Sequence, residues 1–498
     1  MLLNRQLASS QALLPDPALL ELPERAVQFG TGAFLRGFVD DLLDEANRRA
    51  RFGGRVVAVA STGSGRNSLF QRQDCLFTLS VQGIVNGQPR QEWRIIASVS
   101  RCICARTHWP EVLACARNPD LELIFSNTTE VGITLDEGDD GAREPPRSFP
   151  GKLTRFLHER ARTFDFSPGR GVVVLPCELI EDNGDRLRSI VLTLADRWGL
   201  EPSFRQWLRE SVTFCNTLVD RIVTGIAAPE EAPGPGYRDQ LHTTCEPYRL
   251  FVIQGDAALR ERLRFASGDG GVIVTPNIEA YRERKLRLLN GTHTIMVPLA
   301  LLCGHDTVAG ALRDAQLGAF ARHVMLDETL PTLDAPDAEE FARQVLDRFA
   351  NPFVHHSLFD ITLQGTMKMR VRVVPSIVRH AQRTGQAPSA HALGFAAYLL
   401  FMRGDLQDRR RAAGLPVPPD DHGGRVRSLW TALNGDTAPA GITSLVVAAC
   451  ADESLWGMDL GRVPGFVESV SEHLHRAHRE GAVTALAAHL AGERTTVA

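Results

Sequence analysis

Four short runs rich in valine and isoleucine punctuate the first half of the chain: Arg25–Phe29, Arg55–Ala60, Leu121–Phe125 and Gly171–Leu175. Helical or loop sequence separates each from the next. Such runs are strands buried on both faces, and strands that alternate with helices pair as a parallel sheet. Two loop segments interrupt this pattern, Glu137–Pro150 and the Pro/Gly-rich Ala227–Tyr237. The second is the better domain boundary. Two further strand candidates follow it, Arg249–Gln254 and Gly271–Val274. From about Glu279 onward the periodicity is almost wholly helical, as in Leu286–Leu302, Ala338–Phe349, Ala390–Met402 and Leu445–Leu455.

The first run leads straight into Gly30-Thr31-Gly32-Ala33-Phe34-Leu35-Arg36-Gly37, and helical periodicity continues through Leu42, Leu43 and Ala46. A glycine turn between a strand and a helix lets backbone approach a pyrophosphate, which the uncapped N–H groups of the helix then receive. Arg36 is placed to add a positive charge. Leu35 departs from the G-x-G-x-x-G spacing. The second run ends in Ser61-Thr-Gly-Ser-Gly-Arg66, without the acidic residue that accepts a ribose 2′-hydroxyl. The cofactor expected is NAD, and Arg66 keeps NADP open. The expected fold is α/β: a Rossmann-like parallel-sheet domain over residues 1–240, then a mostly α-helical substrate and catalytic domain over 241–498.

The richest segment for chemistry is Lys285-Leu-Arg-Leu-Leu-Asn290-Gly-Thr-His293. On an α-helix Asn290 lies roughly 140° and His293 roughly 80° from Lys285, so all three point into one cleft. Asn and His donate hydrogen bonds to an oxygen on which negative charge builds during carbonyl reduction, and a lysine delivers the proton. A lysine shuttles protons near neutrality only when burial or a nearby cation loosens its hold; Arg282, Arg284 and Arg287 are close in sequence. Gly291 is unfavourable inside a helix, by about 1 kcal/mol relative to Ala. That choice implies a closely approaching backbone or ligand.

Other chemistries are poorly served. There is no H-E-x-x-H, and His355-His356 would face different directions on a helix, so no metal is expected. No serine sits in a G-x-S-x-G elbow, which argues against a hydrolase. Fifty-five Lys and Arg against 59 Asp and Glu leave a net charge of −4, so neither nucleic acid nor an anionic membrane is an expected partner. Nine scattered cysteines suit a reducing compartment better than a disulfide framework. Without a long apolar run or an N-terminal leader pattern, the expected location is the cytoplasm. A catalytically silent nucleotide- or sugar-acid-binding regulator is the alternative from another class.

Taken together, Gly30-Thr-Gly-Ala-Phe-Leu-Arg36, Asn216-Thr-Leu-Val-Asp220-Arg221-Ile and Lys285-x4-Asn290-Gly-x-His293 resemble the mannitol dehydrogenase family of polyol-specific long-chain dehydrogenases. Ser126-Asn-Thr-Thr-Glu130, Pro176-Cys-Glu178-Leu-Ile-Glu-x-Asn183-Gly-Asp185, Arg348-Phe-x-Asn351-Pro352 and Thr366-x-Lys368 narrow the likeness to members acting on hexuronate ketoses and the matching aldonates. The resemblance implies metal-independent hydride transfer. Lys285 would be the general acid/base, with Asn290 and His293 polarising the carbonyl. Gly30, Thr31, Gly32, Ala33, Phe34 and Arg36 would hold the pyrophosphate side of the cofactor, and Asn127, Thr129 and Glu130 its nicotinamide end. Asn183, Asp220 and Lys368 would contact substrate. Polyol-acting members carry an arginine eight or nine residues after the Asn-Pro pair; here Phe359-Asp360 stand there. Lys368, Arg370 and Arg372 are then the candidate cations for a substrate carboxylate. Oligomeric state stays open.

Overall fold

The computed structural model describes residues 1–10, 16–61, 64–128, 132–224 and 236–496. The chain forms two compact units: residues 1–82 with 89–278, and residues 83–88 with 279–498.

The first unit is built on a six-stranded sheet. Its strands are β1 (Glu24–Phe29), β2 (Arg55–Ala60), β5 (Val99–Cys104), β6 (Leu123–Ser126), β7 (Val173–Pro176) and β8 (Thr213–Phe214). Their order is β5-β2-β1-β6-β7-β8, and every pairing is parallel. Counted along the chain this is the 3-2-1-4-5-6 order of a Rossmann sheet, which reverses direction between β1 and β6. The two-residue alternation of a strand divides the sheet between two cores. Ala26, Val56, Ala58, Leu123 and Phe125 face the layer of Val39, Leu42, Leu43 and Ala46 on helix Val39–Arg48. Val27, Phe29, Val57, Val59 and Ile124 face helices Trp109–Ala116, Phe149–Thr163, Asn183–Arg197 and Pro202–Glu210. Both faces are dry, which is why the four runs carry no polar stripe.

Two smaller sheets complete the unit. One has the order β10-β11-β3-β4, from β3 (Phe77–Val85), β4 (Gln88–Ile96), β10 (Val223–Thr224) and β11 (Thr243–Cys245). The other has the order β13-β12-β9, from β9 (Thr217–Asp220), β12 (Leu250–Gln254) and β13 (Val272–Thr275). Because β11 pairs with β3 and β12 with β9, residues 243–275 belong to the first unit. The division therefore falls after Ile278 rather than at 240/241 as the loop composition suggested.

One buried carboxylate ties these pieces together. Asp41, on helix Val39–Arg48, has no exposed surface and accepts from Arg94 on β4 at 2.5 Å, Arg221 after β9 at 2.6 Å and Arg249 before β12 at 3.1 Å. Burial alone would raise its pKa, but the three guanidinium groups outweigh that and hold the carboxyl well below the usual carboxylate range.

The second unit is helical. Its centre is helix Ser389–Phe401, whose residues from Ala390 onward are all buried, packed between helices Thr292–Leu302 and Phe466–Glu480. Three π-helical segments interrupt its α-helices: Lys285–Gly291, His323–Thr329 and Met369–Val373. Among the described residues no helix is long and apolar enough to cross a membrane.

Replacing Asp41 with Ala leaves three arginines facing a buried site without their shared partner. The expected cost is about 3–5 kcal/mol in urea unfolding. A loss below about 1 kcal/mol would mean that Glu45 and Asp269, which also pair with Arg249, suffice to neutralise the cluster.

Candidate active site

In the first unit the glycine turn sits where the sheet order reverses. Gly30 has φ of +134°, a conformation open to glycine, and its N–H donates to the Val59 carbonyl at 2.9 Å. A β-carbon at Gly30 would lie 2.8 Å from the Asn127 carbonyl oxygen, so the ends of β1 and β6 approach too closely for any side chain. Gly32 precedes helix Ala33–Gly37, and a β-carbon there would meet no atom within 4 Å. The backbone at Gly32 is thus open to a ligand while Gly30 closes the turn beneath it.

The remaining residues expected around the cofactor divide by exposure. Ala33 and Phe34 are half-buried, and Phe34 stacks on Phe38 with ring centroids 4.9 Å apart. Arg36 is turned inward: its Nε donates to Thr243 Oγ1 at 2.9 Å and its Nη1 to the Thr31 carbonyl at 2.7 Å. It braces the buried Thr31 from within the fold rather than presenting a free charge at the surface. Asn127 donates from Nδ2 to the Cys177 carbonyl at 2.8 Å. Thr129 and Glu130 lie outside the described residues, as do the side chain of Arg66 and most of Ala227–Tyr237.

Two of the residues expected at substrate behave differently from one another. Asn183 is fully buried, and both ends of its amide are in use. Nδ2 donates to the Glu178 carbonyl at 3.0 Å and Thr217 Oγ1 at 3.1 Å, and Oδ1 accepts from Thr217 N–H at 2.9 Å. It clamps the end of β7 to β9, which corrects the expectation of an open substrate group. Asp220 closes β9, buried and in register with Leu250 of β12. Sequence reasoning gave no specific role to Glu178, which is buried beside this clamp. It accepts from Ser126 Oγ at 3.0 Å and from Thr128 N–H and Oγ1 at 3.0 and 3.1 Å, and burial raises its pKa.

In the second unit Lys285 opens the first π-segment and Asn290 lies within it. A π-turn reaches back five residues instead of four, so residues five apart come nearly one above the other. Lys285 and Asn290 therefore share a face more closely than α-helical spacing allows. Gly291 explains itself by a close backbone approach: a β-carbon there would stand 3.0 Å from the Arg372 carbonyl oxygen, in the third π-segment. Arg287 fastens the two segments, donating to the Val371 carbonyl at 2.5 Å and the Arg372 carbonyl at 3.1 Å while paired with Glu283 at 3.0 Å. Carbonyls displaced by a π-turn need such a donor. Arg282 pairs with Glu279, and Arg284 stacks on Tyr281 and Phe341, so neither is an unengaged cation for Lys285.

His293 follows immediately, with 8% of its surface exposed. Its ring lies nearly parallel to Phe349, centroids 4.3 Å apart, and edge-on to His356 at 4.9 Å. Its Nε2 is buried and has no hydrogen-bond partner. Such an orphan costs about 1–3 kcal/mol unless a ligand completes it. Burial first, then the positive groups His356, Arg348, Arg372 and Lys368, push the imidazole pKa well below 6.5, so the ring is neutral. Lys368 donates to the Ile361 carbonyl at 3.0 Å, and burial and Arg372 lower its pKa. Of the three expected cations, Lys368 and Arg372 thus gather at His293. Arg370 lies instead against Gly457, exposed. His356 and Arg348 were not singled out for this chemistry from sequence; the Arg348-Phe-x-Asn351-Pro352 motif was the available signal for the second.

Comparison with known proteins adds a second line of observation. The family model for the mannitol dehydrogenase Rossmann domain matches residues 24–267, and that for the mannitol dehydrogenase C-terminal domain matches 277–478. The altronate oxidoreductase of Yersinia pestis bv. Antiqua (strain Nepal516) is 39% identical over 475 residues, covering 94% of this chain and 97% of that one. That of Pectobacterium atrosepticum is 40% identical over 467 residues, covering 92% and 95%. Among solved structures, Pseudomonas fluorescens mannitol 2-dehydrogenase, in a ternary complex with NAD and D-mannitol, superposes with a TM-score of 0.65 at 23% identity, covering 98% of this chain and 99% of that one. A substrate-free D-sorbitol dehydrogenase superposes with a TM-score of 0.75 at 21% identity, covering 98% and 100%.

The two glycines make a paired test. Gly291→Ala forces a backbone carbonyl to move, with an expected loss of about 1–3 kcal/mol in unfolding free energy. It should also shift the His293 imidazole resonances. Gly32→Ala, entering open space, should stay within about 0.5 kcal/mol of the parent. Equal stability of the two variants would remove the backbone contact as the reason for Gly291.

Proposed function

This chain belongs to the mannitol dehydrogenase family, and from that premise we propose that it reduces tagaturonate to altronate with NADH, reversibly. It is a pyridine-nucleotide-dependent dehydrogenase acting on CH–OH groups. The observation that carries the narrower reading is the buried, unpartnered Nε2 of a neutral His293, with Lys368, Arg372 and Arg348 around it. A keto group completes the orphaned nitrogen, and a carboxylate on the same substrate answers the surrounding positive charge. A simple polyol offers the first and lacks the second. The curated relatives named for altronate support the same substrate class.

The first unit fits a dinucleotide: a left-handed glycine closes the turn, an open glycine follows it, and both stand where the strand order reverses. When bound, the reduced cofactor supplies the hydride. The chain's own residues handle the rest of the charge. Asn290 and the Nε2–H tautomer of His293 donate to the substrate carbonyl oxygen, where negative charge develops as the carbon is reduced. Lys285 gives its proton to that oxygen, and the product is the hydroxyl. His293 is held neutral, so it orients without competing as the acid. In the reverse direction Lys285 takes the hydroxyl proton as the hydride leaves. The proposed location is the cytoplasm, in keeping with nine free cysteines, eight of them buried.

The test is NADH oxidation with tagaturonate, fructuronate and fructose side by side, repeated with NADPH. Tagaturonate with NADH should give the highest kcat/KM. A preference for fructuronate would assign the other epimer, and a preference for fructose would overturn the carboxylate reading. Lys285→Met should lower kcat by about 10²–10⁴-fold while NADH binding, followed by fluorescence, is retained. Arg372→Leu should raise KM for tagaturonate by about 10-fold and leave that for fructose unchanged. Near-normal turnover in Lys285→Met would refute its role.

A further inference from the structure

Within the second unit lies a cavity of about 740 Å³, partly open to solvent, that belongs to neither the glycine turn nor the His293 cluster. One wall is apolar, formed by Phe401, Met402 and the Val417-Pro418-Pro419 turn. The opposite wall is polar and contains an anomaly. Gln407, on helix Asp405–Ala412, is 9% exposed; its Nε2 donates to the Phe401 carbonyl at 3.2 Å, but its Oε1 has no hydrogen-bond partner. A buried amide oxygen without a donor is rare unless something outside the chain supplies one.

Positive groups surround it. Arg411 and Arg427 line the same cavity. Both pair with Asp408, Arg411 through Nη1 at 2.7 Å and Arg427 through Nη1 at 3.2 Å and Nη2. Each guanidinium carries five N–H groups, so donors remain beyond those bonds. The ten-residue helix Gly423–Ala432 begins at the cavity, has no side-chain cap, and presents Gly424, where a β-carbon would meet no atom within 4 Å. The one acidic lining residue, Asp420, is directed at the protein: Oδ2 accepts from Thr366 N–H at 2.8 Å and Thr366 Oγ1 at 2.9 Å, and Oδ1 from His422 N–H at 3.1 Å.

We propose that this cavity binds a small polyhydroxylated organic anion, with its carboxylate or phosphate on Arg411, Arg427 and the first turn of helix Gly423–Ala432, and a hydroxyl donating to Gln407 Oε1. The charged end takes charge-assisted hydrogen bonds and the positive end of the helix dipole. The hydroxyl satisfies the orphaned acceptor, and the carbon skeleton lies along the proline-rich wall.

The probes are glucose 6-phosphate for a phosphate ester, gluconate for a carboxylate, glucose for the neutral sugar and inorganic phosphate for the bare anion. Binding is read by calorimetry and thermal shift on the full chain without substrate, so the result is independent of the dehydrogenase assignment. Glucose 6-phosphate, gluconate or both should bind and raise the melting temperature, and their ranking identifies the charged group; glucose should do neither. Gln407→Leu should weaken the sugar anion about 10-fold and leave inorganic phosphate unchanged. Arg411→Gln, at an exposed side chain, should weaken every anion by a similar factor. Neither change should alter NADH-linked turnover without added anion. Absence of binding by both sugar anions at millimolar concentration would overturn the proposal, as would binding that survives both substitutions. Gln407→Leu weakening inorganic phosphate equally would overturn the hydroxyl contact.

Discussion

A single backbone contact organises the chemistry of the second unit: the Arg372 carbonyl against the bare α-carbon of Gly291. Any side chain at 291 would force the segments Lys285–Gly291 and Met369–Val373 apart. Their closeness brings Arg287 within reach of two carbonyls across the gap. The same closeness places the residues following Asn290 beside those following Lys368, so that His293 is covered by cations from another segment. Both segments are π-helical, and each exposes carbonyls that an α-helix would consume internally. The arginine that satisfies them is itself held by Glu283, which also pairs with Arg379 at 2.9 Å. Positioning of the reactive face thus depends on a short chain of polar contacts with no large tolerance at its centre.

The first unit solves a different problem with similar means. Its sheet must leave one gap, at the reversal of strand order, without letting the strand ends splay. Gly30 and Asn127 close that gap by backbone contact, while Arg36 and Asn183 hold the flanking segments by hydrogen bonds that leave no donor to waste. Asp41 then connects the helix behind the turn to strands of the two smaller sheets. A carboxylate so placed is costly to bury alone and becomes favourable once three guanidinium groups converge on it.

What could be read from the chain follows from how local each signal is. The four valine-rich runs became β1, β2, β6 and β7 because a strand dry on both faces has no other way to look. The glycine turn was legible for the same reason: its constraint is written in adjacent residues. The hairpin of β3 and β4 was missed, although Asn86-Gly87, with φ of +51° and +73°, is the residue pair such a turn demands. The charged character of Gln88–Ile96 hid it. The unit boundary was misplaced because loop composition says nothing about which earlier strand a later one will pair with. Asn183 read as a pocket residue because an invisible partner, Thr217, decides its role. The convergence of His356 and Arg348 on His293 is wholly tertiary.

The π-segments also turn chain length into a structural variable. A π-turn holds one residue more than the α-turn it replaces, so the spacing Lys285-x4-Asn290-x2-His293 acts as a ruler rather than a pattern. Loss of one residue between Lys285 and Gly291 would let the helix relax to α geometry and rotate everything beyond it by about 100° relative to what precedes. The surface loops of this fold absorb insertions and deletions; this internal stretch converts them into a change of direction, which gives the reactive face its own reading frame.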